Sequence, residues 1–93
     1  MANSDATAQA FAYEDGYHRQ GNMFATNESV YSYAECIARR TPEGIEINEN
    51  KYSPTTNRHQ KAVIRAIEGR GYRPAPAQLQ PNHLPEGWSL YTL

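Results

Sequence analysis

The chain has 93 residues, 39% of them hydrophobic and 20% charged, with a formal net charge of −1. A chain of this size buries only roughly 60–65% of its surface on folding, so it makes one domain with a thin core and disfavours catalytic architectures that need a larger scaffold. Taken as a total, the near-zero charge argues against a strongly basic nucleic-acid binder.

The first ten residues carry neither a basic nor an apolar signal segment. The longest apolar run, Ala10 to Tyr13, falls far short of the roughly 20 residues of a membrane helix, so no membrane association is expected. Residues 1–21 read as an N-terminal arm with a short helix entered at Ser4 and ended by Glu14-Asp15-Gly16. Residues 22–73 read as the core. Met23 to Thr26 is a short strand. Val30 to Arg39 alternates as a second strand, with Tyr31, Tyr33 and Ile37 on one face. Small residues (Ser32, Ala34, Cys36, Ala38) share the other face with Val30, which leaves room for a helix. Thr41-Pro42-Glu43-Gly44 is a turn, and Ile45 and Ile47 point inward beyond it, so a hairpin spans about 30–52.

Ser53-Pro54-Thr55-Thr56-Asn57 opens a helix that runs to about Glu68, with Gly69 or Gly71 as its stop. Gln60, Val63, Ile64 and Ile67 form its buried stripe, and Arg58, Lys61 and Arg65 a cationic ridge opposite. Residues 74–93 hold four of the six prolines and read as an extended tail, with a possible edge strand from Trp88 onward. The expected fold is therefore α+β: an antiparallel meander of about three strands, one amphipathic helix packed on it, and an extended Pro-rich C-terminal tail.

Little chemistry is spelled out. Closed metal sites use ligand pairs, and His18, His59, His83 and the single cysteine, Cys36, are isolated. No metal and no cofactor is expected. One cysteine excludes an internal disulfide, nothing suggests an oxidising compartment, and the cytoplasm is the default expectation. A cysteine–histidine enzyme built on Cys36 and His59 is the weakest reading, because nothing orients the histidine. The six glycines form no phosphate loop. The seven tyrosines either fill a small β-rich core or line a binding surface.

The charge map is more informative than the total. Residues 1–50 hold three basic against eight acidic groups, net −5, and residues 51–73 hold six basic against one acidic, net +5. The positive half is the helix and its flanks. It is either a solvated face or a site for phosphate or an acidic protein surface.

Two stretches carry a resemblance: Val30-Tyr31-Ser32-Tyr33 through Ile37-Ala38-Arg39, and Asn50-Lys51-Tyr52-Ser53-Pro54-Thr55-Thr56-Asn57-Arg58-His59-Gln60. Together they resemble a family of small, mostly uncharacterised bacteriophage and mobile-element proteins that pair a hairpin with a helix. Within the second motif Tyr52, Thr55, Thr56, His59 and Gln60 have structural roles: cap, packing and strand closure. The resemblance implies a phage-derived, non-enzymatic protein in the cytoplasm of a bacterial host. By analogy with anti-CRISPR proteins, it implies inhibition of a nucleic-acid-handling defence complex by steric and electrostatic blocking. Its partner is then a host protein or ribonucleoprotein complex, met by Arg58, Lys61, Arg65, Arg70, Tyr31 and Tyr33. Direct binding to nucleic-acid phosphate is the alternative, and a homodimer is open.

Overall fold

A computed structural model describes residues 3–93. Helix α1 (Asn3–Ala12) is followed by five strands: β1 (His18–Gln20), β2 (Met23–Ala25), β3 (Ser29–Ser32), β4 (Glu35–Thr41) and β5 (Gly44–Asn48). Helix α2 (Pro54–Gly69), the two-residue strand β6 (Arg73–Pro74), a 3₁₀ turn (Ala77–Leu79) and β7 (Trp88–Thr92) complete the chain. Among the described residues all seven strands join one antiparallel sheet in the order β1-β2-β3-β4-β5-β7-β6.

Both helices lie on one face of the sheet. That face presents Met23, Ala25, Val30, Ile37, Ala38, Ile45 and Ile47, all fully buried, against Ala62, Val63, Ala66 and Ile67 of α2. Ala8, Phe11 and Ala12 of α1 complete the same cluster. Burying Phe11 alone contributes about 1.5–3 kcal/mol, which explains why the polar-looking N-terminal arm is a packed helix. It begins at Asn3, so Ser4 lies inside its first turn. Ser53 caps α2, its hydroxyl accepting the Thr56 amide at 3.2 Å, with Pro54 in the first turn. At the far end the Tyr72 amide donates to Ile67 O and that of Gly71 to Glu68 O, with Gly71 at φ +101°. This paired closure uses a left-handed residue that glycine adopts without strain.

The three-stranded meander with a single helix is overturned by this architecture. The stretch from Val30 to Arg39 is two strands, folded back at Tyr33-Ala34, with Ser32 facing Glu35 across the turn. An extra residue in β4 shifts the register, pairing Val30 with Ala38 but Tyr31 with Cys36. Ile37 therefore turns inward beside Ala38, and Cys36 joins Tyr31 on the outer face; for Ile37 and Cys36 this is opposite to the expected assignment. A straight period-2 reading carries through such a bulge with the wrong parity.

The extended tail is likewise corrected. Its last residues form β7, which lies inside the sheet between β5 and β6, leaving β1 and β6 as the edges. Proline excludes only its own position from a ladder, and none falls within Trp88–Thr92. Pro74 sits on the β6 edge, and residues 75–87 form a strap anchored beside β7 and β5. Gln80 accepts the Leu90 amide at 2.7 Å and donates to Leu90 O and Ala75 O. His83 Nε2 lies 3.1 Å from Glu46 Oε2. Glu46, 2% exposed on the outer face, also accepts from Arg39 Nε at 2.6 Å, and the Arg39 guanidinium rests on the Trp88 ring. A buried carboxylate of this kind needs such partners.

Candidate functional site at the start of the second helix

The two resembling stretches meet at one end of the sheet. Ser32 Oγ, fully buried, is 3.0 Å from Thr56 Oγ1 and 2.7 Å from His59 Nδ1. It thereby clamps the β3–β4 turn to the first two turns of α2. Gln60, buried, donates to Asn48 O and Asn50 O, both at 2.8 Å, and fixes the linker leaving β5. Tyr52 takes part on the same end: its amide donates to Asn57 Oδ1, and its hydroxyl bonds Asn48 and Glu35. Thr56, His59, Gln60 and Tyr52 are thus the joints of the domain end, and Thr55 Oγ1 accepts weakly from Arg58 at 3.4 Å.

Tyr33 stands at the tip of the turn that this clamp holds. It adopts φ 58°, a left-handed conformation, and the residue is 52% exposed. For a residue with a β-carbon that backbone costs about 1–2 kcal/mol relative to the ordinary regions. Strain of this kind persists where the surrounding structure over-determines it, and such positions cluster at functional sites.

The cationic ridge divides. Arg65 pairs with Asp5 of α1 at 3.2 Å. Arg70 donates to Ala12 O at 2.8 Å and lies over the Tyr13 ring, 5.0 Å from its centroid. These two arginines hold α1 to α2. Arg58 and Lys61 remain exposed, one turn apart, and among the described residues no carboxylate lies within salt-bridge distance of either. Lys51, which the sequence reading left out of the site, joins them: it is exposed, equally unpaired, and lines one cleft with Lys61. Its position just ahead of the helix motif was the available signal. Tyr31 is elsewhere, half-buried on the outer sheet face and stacked on Phe24 at 5.1 Å with rings 11° from parallel. Tyr33 and Arg58 each adjoin a partner of the Ser32–His59 contact, and Lys61 lies one turn beyond Arg58 on α2; Tyr31 stacks on Phe24, and Arg65 and Arg70 are engaged with α1.

Titratable groups follow from their surroundings. Burial holds the His59 imidazole below its ordinary value, with the Arg58 charge adding to the effect. Burial pushes the Cys36 thiol up, against smaller opposing effects of the Ala38 carbonyl contact, Arg39 and Tyr31, while Glu35 adds to the rise. Cys36 Sγ points to Ala38 O at 3.5 Å on the outer face, and His59 lies on the helix side, so the two do not form a nucleophile–base pair. Ser32 is within reach of His59 but completely sealed from solvent. Among the described residues no group of three or more His, Cys, Asp or Glu is placed to hold a metal ion, and no helix is long and apolar enough to cross a membrane.

Residues 3–73 match the family of unknown function DUF8033. The chain belongs to that family. The match covers both helices, β1 to β5 and the start of β6, and therefore the whole of the end just described; the strap and β7 lie beyond it. No curated protein and no solved structure matches the chain.

Proposed function

We propose that this protein is a non-enzymatic binding protein that docks its Tyr33 end onto an anionic surface of a nucleic-acid-handling complex in a bacterial host, and inhibits that complex by occupying the surface. An anti-CRISPR role is its most concrete form. The observation that carries the reading is an exposed tyrosine in a costly backbone conformation, next in sequence to Ser32, which bonds Thr56 and His59 on the same helix as the exposed cations Arg58 and Lys61, unpaired among the described residues. Tyrosine and arginine are the residues that most often anchor interfaces, and the unpaired cations suit phosphate or carboxylate. The host setting rests on the resemblance to phage and mobile-element proteins.

The test is co-purification from host lysate with mass-spectrometric identification, using wild type, Arg58→Glu/Lys61→Glu and Tyr33→Asn. Asparagine tolerates the left-handed backbone, so the last variant removes the ring and keeps the turn. One complex captured by wild type and lost in both variants, with all three proteins folded, is the expected result. Capture unchanged in both variants refutes the reading. Retention on bare nucleic acid, with a linear log–log salt dependence, would move the target from protein to nucleic acid.

A further inference from the structure

A cleft of about 250 Å³ lies between the linker leaving β5 and the flank of α2. Its polar groups are unequally committed. Glu49, the only carboxylate lining it, accepts from Ser89 Oγ at 3.2 Å and from Tyr91 Oη at 2.8 Å, so both its oxygens are engaged by β7. Asn57 uses its Oδ1 on the Tyr52 amide, and its amide N–H groups have no partner among the described residues. Lys51 and Lys61 stand on the walls without a carboxylate within 4.0 Å among those residues. Ile64, partly buried, supplies the apolar side.

Two ammonium groups and an unused amide donor around one small cleft complement a compact dianion. A phosphomonoester carries about −1.5 to −2 charges at pH 7 with three strong acceptor oxygens, whereas a backbone phosphodiester carries a single charge. We infer that this cleft binds a phosphomonoester, its phosphate held between Lys51 and Lys61 with Asn57 as a further donor and the organic part against Ile64. The chemistry is shared by a free nucleotide and by the 5′-phosphate end of a nucleic-acid strand. The inference names a ligand at the flank of the proposed docking end and does not depend on Tyr33 or Arg58.

The experiment is a titration of the isotope-labelled full chain followed by amide NMR shifts. The probes are adenosine 5′-monophosphate, adenosine, inorganic phosphate, and one short oligonucleotide with a 5′-phosphate or a 5′-hydroxyl. Saturable shifts centred on Lys51, Asn57 and Lys61 are expected with the monophosphate and absent with adenosine. Lys51→Ala/Lys61→Ala should weaken that binding at least tenfold while leaving the remaining spectrum in place. Lys51→Arg/Lys61→Arg, which retains both charges, should bind within a few-fold of wild type. Preference for the 5′-phosphorylated strand over the monophosphate assigns the ligand to nucleic-acid ends, and the reverse assigns it to free nucleotide. Inorganic phosphate should bind more weakly than the monophosphate, lacking the contact with Ile64. No saturable shift at millimolar monophosphate, equal binding by the double alanine variant, or equal shifts with adenosine overturns the inference. The cleft and the docking end share Lys61, but Tyr33→Asn leaves Lys51 and Lys61 in place and partner capture is read without added phosphate, so a flat titration alongside capture that Tyr33→Asn abolishes sinks the cleft alone.

Discussion

Ser32→Ala isolates the joint on which the proposed surface depends. The Ser32 hydroxyl is fully buried and lies 3.0 Å from Thr56 Oγ1 and 2.7 Å from His59 Nδ1. Each such bond contributes about 1 kcal/mol net, and leaving a buried partner unmade costs at least as much. Thr56 keeps a second contact, since its Oγ1 also lies 3.4 Å from Ser53 Oγ, so the expected loss is about 2 kcal/mol rather than the upper end of that range. For a domain of this length the unfolding entropy is on the order of 0.2 kcal/mol per kelvin, which converts the loss into a fall of about 10 °C in Tm. Calorimetry at pH 7.5, where His59 is neutral, reads it directly. NMR titration of His59 in the same variant should show its pKa returning toward the ordinary 6.5 as the ring loosens from its buried seat. A drop in Tm below about 2 °C would refute the view that this hydroxyl clamps the β3–β4 turn to α2.

Further outcomes test the surrounding structure. The lowered His59 value means the unfolded chain takes up a proton before the folded one does. Stability from this group is therefore full above pH 6.5 and falls as pH drops from there toward the folded value, a trend His59→Gln should flatten in denaturant titrations across pH 5–7.5. Cys36, with its thiol raised by burial, should react with iodoacetamide at pH 8 more slowly in the folded protein than in urea; equal rates would contradict its placement. Burial raises the Tyr91 phenol well above the usual range, and its 2.8 Å hydrogen bond to the Glu49 carboxylate adds to the rise. An ultraviolet titration should leave one tyrosine un-ionised after the exposed ones have titrated, and Tyr91→Phe should remove that late step. Arg65→Ala breaks only an exposed pair, so Tm should fall by no more than about 5 °C and partner capture should persist.

The parts of the fold legible in the sequence were those set by local chemistry. Ser53, Pro54 and Gly71 mark the ends of α2 within a residue or so, and Thr41-Pro42-Glu43-Gly44 is the observed β4–β5 turn. What escaped depends on non-local register. Nothing local distinguishes Tyr33 from a strand residue, because its φ of 58° belongs to a turn fixed from outside: its amide donates to Asn22 O, and the preceding Ser32 is bonded to His59 of α2. The division of the cationic ridge was equally hidden, since it is decided by Asp5 and Ala12 O, about 60 residues away in sequence. Lys51 was in plain view. Only the folding of the linker against α2 gave it a neighbour in Lys61.

The place of β7 in the sheet has a consequence for synthesis. Strands β1 to β5 are sequential neighbours and can zip as the chain emerges, but β5 lacks its outer partner until Trp88–Thr92 is made. Strand β6, made earlier, has only β7 to pair with and must wait for it. A nascent chain therefore exposes the open edge of β5, with Ile45 and Ile47 on it, until Trp88–Thr92 has been made. Nascent chains that stall before Trp88 would be the ones that pair edge to edge with each other. A chaperone covering that edge would protect the chain during this interval.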